Sequence, residues 1–341
     1  MTAKEEAGQA SPNIKIGDIE VHGRTFLAPM AGITDGPFRA VAEKFGAPMV
    51  VSEMIASASL ASGMDEMRRK LKPSGKLPHM VQIAGNEERW MVLGAKMAAD
   101  AGADIIDINL GCPSKKVTNG YAGSALMRVP KKALALIEAV VNTVELPVTV
   151  KMRLGWSDEQ INAPHIARLA QDAGVQMIVV HGRTRQQFYK GTARWQPVRD
   201  VVEAVKIPVL VNGDIVDGNS AKRALAISGA AGVMVGRGAR GQPWIIGQIE
   251  AALNSRPAAS PPVGAELLQT ITDHYNDMRN FYGEKLAVRM ARKHLRWYLQ
   301  EAGVAEETTR AHSLLTLDDC NEVVLALGKI LACRFFSSSA A

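Results

Sequence analysis

The sequence predicts an α/β chain: a (β/α)8 TIM barrel followed by a small all-α C-terminal domain. Three observations predict it. Eight short runs of Val, Ile, Leu and Met alternate with longer segments of helical period between about residues 26 and 240. Each run ends in a polar or glycine-rich turn. After Trp244 the strand signal stops and only helical periodicity remains.

In order, the expected strands are 25–28, 49–51, 80–83, 105–108, 148–152, 177–180, 209–211 and 232–235. Runs this short and this continuously apolar read as parallel strands covered on both faces. Helices are expected at 37–45, 87–101, 131–144, 163–173, 195–205 and 219–228. Gly46, Gly102, Gly174 and Gly229 follow four of them as C-cap residues. Eight strands joined by crossovers suit a closed barrel. An open doubly wound sheet would alternate similarly, but would spread its strand ends along one edge. Gln82, Lys151, His181 and Asn212 end four different strands, which favours a closed ring around one ligand.

Residues 1–13 read as a disordered tail, 14–250 as the barrel, 251–264 as a Pro-rich linker and 265–336 as the helical domain. The 341 residues are 47% hydrophobic and 22% charged, which excludes a disordered or collagen-like chain. No uninterrupted apolar stretch is long enough for a membrane span, and the polar N-terminus does not read as a signal peptide. Three cysteines without a CxxC pair argue against a disulfide framework or a zinc site, and for a reducing cytoplasm. Cys320 and Cys333 fall at helical positions and read as core residues. The net charge of +6 permits an anionic partner such as nucleic acid.

The strand-end turns carry the chemistry. Gly236, Gly238 and Gly241 match GxGxxG, but they follow the eighth strand and no second βαβ half comes after them. In a barrel such a turn is a phosphate cradle, with Arg237 adding charge and Asn212, Gly213 and Asp214 lying alongside. Lys151 ends a buried strand. It is open to three readings: a Schiff-base lysine, a cation opposite an anionic ligand, or an ion pair with a neighbouring acid such as Glu53. Cys112, between Gly111 and Pro113 and close to Lys115 and Lys116, is a candidate nucleophile or acid. His181 shares its loop with Arg183 and Arg185, and suits phosphate binding, acid–base work or a structural hydrogen bond.

In the helical domain Lys285, Arg289, Arg292, Lys293 and Arg296 fall within an arc of about 100° at helical spacing. No acid occurs from 285 to 300, so this reads as a basic face suited to phosphates. His294 falls on the opposite, apolar side and reads as a hydrogen-bonded core histidine.

Taken together, LAPMAGITDGPFR (27–39), SEM, VQIAG, DINLGCPSKKVTNGYAGSALM (107–127), VKMRLGW, HGRTR, NGDI and VMVGRGARGQPWI resemble the tRNA-dihydrouridine synthases. The closest resemblance is to the bacterial B-type branch, historically labelled nitrogen-regulation proteins. It runs from about residue 14 to 300. It implies an FMN-bearing barrel, NADPH or NADH as diffusible reductant, and reduction of a D-loop uridine in tRNA. It also implies a cytoplasmic protein, acting without metal and expected to be monomeric. By resemblance, Pro29, Met30 and Ala31 back the flavin ring, and Gln82 and Lys151 face its pyrimidine side. His181 helps hold the ribityl-phosphate, and Asn212, Gly213, Asp214, Gly236 and Arg237 form the phosphate end. Asn109 lies near the uracil, and Cys112 is the proton donor. Lys115, Lys116, Arg183, Arg185 and the five helical cations contact tRNA.

Overall fold

The computed structural model describes residues 13–304 and 309–337. The tail expected at 1–13 lies outside them except for Asn13, as does the side chain of Cys333. Eleven strands are present among the described residues: β1 Ile14–Ile16, β2 Ile19–Val21, β3 Thr25–Leu27, β4 Met49–Val50, β5 Ile55–Ala56, β6 Met80–Ala84, β7 Ile105–Leu110, β8 Val148–Arg153, β9 Met177–His181, β10 Val209–Asn212 and β11 Gly232–Val235. All eight expected barrel strands form. β11 pairs with β3 in parallel, and a parallel bridge from Val51, just past β4, to Met80 of β6 closes the ring.

Alternation along each strand sorts the barrel into two cores. Leu27, Val50, Val81, Ile106, Val150, Ile178, Val211 and Val233 point outward against the surrounding helices. Phe26, Met49, Met80, Ile105, Met177, Leu210 and Met234 point inward and fill the lower barrel. A strand with an apolar partner on each side has no polar face, hence the continuous apolar runs. The β1–β2 hairpin, turning at Gly17 (φ +60°), places Ile14, Ile16 and Val21 in the inner cluster and plugs the barrel floor. Sequence reading missed this hairpin because each strand has only three residues.

Gly46, Gly102, Gly174 and Gly229 all have positive φ just after a helix, as expected of C-caps. One boundary differs. The segment expected as linker from 251 is helical through Leu253, because Ile245, Ile246, Ile249 and Leu253 form an apolar stripe buried against the barrel. Helices Gly264–Tyr282, Glu284–Glu301, Thr309–Thr316 and Cys320–Ser337 follow, and no described residue after β11 is in a strand. Buried Cys320 joins the core of this domain, which also takes in Trp244 from the barrel side. No helix among the described residues is long and apolar enough to cross a membrane.

Candidate active site

The inward positions change character on moving up the barrel. Two residues beyond Met80 comes Gln82, and beyond Ile105 come Asp107 and Asn109. Thr149 is followed by Lys151 and Arg153, Val179 by His181, and Leu210 by Asn212. The same alternation that builds an apolar floor thus builds a polar mouth on the C-terminal ends of the strands, where barrel chemistry is assembled.

On one side of the mouth the polar groups form a relay. Asp107 is fully buried and accepts from Thr149 Oγ1 and Gln82 Nε2, both at 2.6 Å. Burial pushes its carboxyl pKa up, and the two hydrogen bonds oppose that. Gln82 Oε1 accepts from Asn109 Nδ2 at 2.7 Å. Asn109 Oδ1 in turn accepts from the Gly111 and Cys112 amides at 3.1 and 2.9 Å. Asn109, expected near a base, therefore spends both ends of its amide holding the Cys112 turn against the barrel. Ser124 adds a second hold, donating from N and Oγ to the Cys112 carbonyl at 3.1 and 2.8 Å.

Lys151 stands across the register from Asn109 and donates to Asn212 Oδ1 at 3.2 Å. An ion pair with Glu53 does not form. Glu53 accepts from the Gly32 amide and lies 3.9 Å from Lys70 instead. Burial lowers the Lys151 pKa to about 8, with Arg153 adding to the effect and Asp107 opposing it. Asn212 is fixed by donating to the Met234 carbonyl at 2.7 Å.

Beside β10 and β11, Asp214 sits at φ +53° and gathers three donors. These are Arg183 Nη2 at 2.6 Å, the Ala193 amide at 2.7 Å and Arg237 Nη2 at 3.3 Å. Partial burial raises its pKa and the Arg183 hydrogen bond lowers it, the net direction being down. A Cβ on Gly213 would lie 2.8 Å from the His181 ring, so this turn requires glycine. His181 is buried, and burial, then Arg153, then Lys151, hold its pKa well below the usual histidine value. It therefore serves as a neutral hydrogen-bonding group, contacting Arg183 at 3.3 Å.

One expected RNA contact faces inward, and another is engaged at the surface. Arg183 is 2% exposed and also donates to the Lys190 and Gly191 carbonyls, so it shapes its own loop rather than meeting RNA. Arg292, with its side chain 36% exposed, pairs with Asp318 at 2.7 Å and donates to the Leu317 carbonyl, tying its helix to the connection that precedes helix Cys320–Ser337. Arg185 stacks over Trp156 at 4.7 Å and donates to Thr118 beside the Cys112 loop. Lys115, Lys116, Lys285, Arg289 and Arg296 are exposed, and Lys293 is half-buried beside Gly32.

Sequence reading overlooked three buried residues that organise the site. Arg153 donates to the Gly111, Thr184 and Phe188 carbonyls at 2.8–2.9 Å, joining the Cys112 loop to the His181 loop. Asp107 anchors the relay, and Asp35 accepts from Tyr282 of the helical domain at 2.8 Å. The inward parity shared with Gln82 and Lys151 was the available signal for the first two.

A cleft of about 810 Å3 opens between the mouth and the helical domain. Cys112, Glu53, Gly32 and Lys116 line it from the barrel, and Phe281, Tyr282 and Met290 from the helices.

A family model described as dihydrouridine synthase matches residues 26–325. The chain is 48% identical over 309 residues to a probable tRNA-dihydrouridine synthase of Rhizobium leguminosarum bv. phaseoli, covering 91% of this chain and 95% of that one. It is 53% identical over 291 residues to a probable tRNA-dihydrouridine synthase of Rhodobacter capsulatus, covering 85% and 90%. Against the tRNA-dihydrouridine synthase B of Proteus vulgaris it is 41% identical over 315 residues, covering 92% and 97%. Among solved structures, a 2-naphthoyl-CoA reductase (TM-score 0.58, 13% identity) aligns with 73% of this chain, and a histamine dehydrogenase from Rhizobium sp. 4-9 (0.55, 14%) with 78%. The chain spans about half the length of each, 52% and 50%, and at these identities the likeness is one of fold. With the barrel fold shared and the match running through both barrel and helical domain, the chain belongs to the dihydrouridine synthase family.

Proposed function

We propose that this chain is an FMN-dependent tRNA-dihydrouridine synthase that reduces a D-loop uridine of tRNA to 5,6-dihydrouridine, with NADPH or NADH as electron donor. It would act as a monomer in the cytoplasm. The observation that carries the reading is one mouth combining the Lys151–Asn212 pair, the Gln82–Asn109 relay to Cys112, and a cleft shared with a second domain.

The residues present fit FMN. Lys151 has three donors and one hydrogen bond among the described residues, so it has donors left for the dione edge of a flavin, while buried Gln82, held by Asp107 and Asn109, would offer its second Nε2 hydrogen. Pro29, Met30 and Ala31 form the adjacent rim, where a Cβ on Gly236 would touch only Met30 Sδ at 3.6 Å and Ala28 at 3.7 Å. The backbone of Gly213, Asp214 and Gly236 and the Arg237 guanidinium would hold the phosphate, the Asp214 carboxylate positioning Arg237 and Arg183, with neutral His181 as a hydrogen-bonding partner. When bound, FMN supplies the hydride for the uracil C5–C6 double bond.

Everything else falls to the chain's own side chains. Cys112 delivers a proton from its thiol to the neighbouring ring carbon, while Asn109 and Ser124 fix the backbone that carries it. Lys151 sets a cation opposite the electron-rich edge of the site. Lys115, Lys116 and the exposed cations of helix Glu284–Glu301 meet tRNA phosphates. The uridine leaves its stack to enter the cleft, at a cost of a few kcal/mol that an unstacked D-loop reduces.

The test is to incubate purified protein with unmodified tRNA and NADPH, and to measure dihydrouridine by mass spectrometry against free uridine and dihydroorotate. Dihydrouridine in tRNA alone is the expected result. Cys112→Ala should keep its flavin and lose about 10²–10⁴-fold in turnover. Full activity in that variant would overturn the acid assignment, and turnover of dihydroorotate the substrate assignment.

A further inference from the structure

Glu53 is the buried acid of the cleft that the mechanism above leaves unused. It lies two residues beyond Val51, so it continues the inward alternation Met49–Val51 at the mouth. It is 2% exposed, yet it lines the cleft that Cys112 also lines. Its two oxygens are not equivalent. Oε1 accepts from the Gly32 amide, beside the Pro29–Ala31 rim, and lies 3.9 Å from Lys70 Nζ. Oε2 has no hydrogen-bond partner among the described residues, and it is not sealed off as a buried orphan. A fixed carboxylate thus presents one free acceptor to the cleft.

A uracil ring carries one N–H in its polymer-linked form, at N3, and a carboxylate is an acceptor-only partner for it. N3 lies across the six-membered ring from C6. A group holding N3 therefore directs the C5–C6 edge to the opposite side. Glu53 follows β4 and Cys112 follows β7, so the two enter the cleft from separate strand ends with β6 between them. The remaining lining includes Met54, Met67 and Phe281, which suit the faces of a base; of its other acceptors, Asn86 is an uncharged amide and Glu66 is solvent-exposed and paired with Lys70 at 2.9 Å, so Glu53 is the buried carboxylate.

We propose that Glu53 is a specificity-determining residue that reads the N3–H of the target uridine and so sets its C5–C6 edge toward Cys112. The inference rests on the uracil-reducing reading above.

Its test uses the flavin-loaded full-length protein, with the reduced position first mapped on unmodified tRNA. That first step stands or falls with the general reading alone. Three reactions are then compared by kcat/KM: wild type on tRNA carrying N3-methyluridine at that position, Glu53→Gln on unmodified tRNA, and Glu53→Gln on the methylated tRNA. Each single change should cost about 10- to 100-fold, as for a hydrogen bond to a charged group. Together they should cost little more than either alone, because both delete one contact. Flavin content and Tm of Glu53→Gln should match wild type. Losses that multiply would show that Glu53 acts elsewhere, on the Gly32 loop for example. If Glu53→Gln does not fold, the wild-type comparison still decides, since undiminished reduction of N3-methyluridine overturns the proposal.

Discussion

Lys151 shows how a single residue can be costly to the fold and useful to the site. Its ammonium is held in the barrel mouth with one hydrogen bond, and burial brings its pKa from 10.5 to about 8. The unfolded chain therefore binds more protons than the folded one between about pH 8 and 10.5. Stability of the flavin-free protein should rise with pH across that window. At pH 7 the charged lysine costs on the order of 3 kcal/mol, by the free energy of a shift of that size. Lys151→Met should accordingly make the flavin-free protein more stable to urea at pH 7 while weakening FMN binding at least tenfold. Urea denaturation and flavin titration measure the two effects, and a variant that loses both stability and flavin would contradict this account. The lysine was legible in the sequence because it interrupts an apolar run. Asp107 and Arg153 interrupt similar runs at the same parity, yet what they do depends on Thr149, Gln82 and the Gly111 carbonyl, which lie on other strands. A single strand shows that a polar residue is out of place, but not which neighbour satisfies it.

At the level of elements, helix Glu284–Glu301 carries both a correct reading and a partial one. Its 3.6-residue period placed His294 on the buried face, and there it lies at 2% exposure. Its surroundings, however, are rings: Phe38 at 5.5 Å, His274 at 5.2 Å and Trp297 at 5.5 Å. Neither ring nitrogen has a hydrogen-bond partner, so the expected hydrogen-bonded histidine is instead an apolar filler. His274 gains one contact, to Tyr298 Oη at 3.0 Å. Burial lowers the His274 pKa to about 3 and holds His294 well below 6.5, the latter with help from His274 and Lys293. Both rings are neutral in the folded state and charge on unfolding. Their contribution is complete above about pH 6.5 and is lost progressively as pH falls toward the folded values. By pH 5 His274 should cost about 2 kcal/mol of stability relative to pH 7, and His294 should add to the loss in the same direction. His294→Phe, which removes a titrating group and no hydrogen bond, should flatten that slope with little loss at pH 7. Denaturation at pH 5, 6 and 7 reads the slope, and an unchanged slope in the variant would exclude His294 as its source. Periodicity located this face, whereas its partners off the helix come from the preceding helix, through His274, and from the far end of the chain, through Phe38.

At the scale of the whole molecule, barrel and helical domain share a core rather than merely a linker. Trp244 stacks on Tyr298 with centroids 6.1 Å apart and meets Phe45 edge-on at 5.7 Å. Phe38 packs against both buried histidines, and Tyr282 donates to Asp35 across 247 positions of sequence. The composition break after Trp244 made the second domain legible, but contacts at such separation leave no local signature. At Gly241 the backbones of the two units come into close contact. It sits at φ +71°, and a Cβ there would fall 2.5 Å from the Trp297 carbonyl oxygen. Backbone cannot yield as a side-chain tip can, so Gly241→Ala must push helix Glu284–Glu301 away from the β11 turn. It would also hold alanine in the left-handed region, which alone costs roughly 1–2 kcal/mol. With an apolar, interlocked interface, the wild-type protein should unfold in one transition, with flavin release and tryptophan fluorescence changing at the same temperature. Gly241→Ala should lower the Tm and separate the two signals, the fluorescence change coming first as Trp244 and Trp297 lose their partners. Because the 810 Å3 cleft is walled by Phe281, Tyr282 and Met290, the same variant should raise KM for tRNA more than it lowers flavin affinity. Equal loss of both would mean that the glycine supports the barrel itself and not the docking of the second domain.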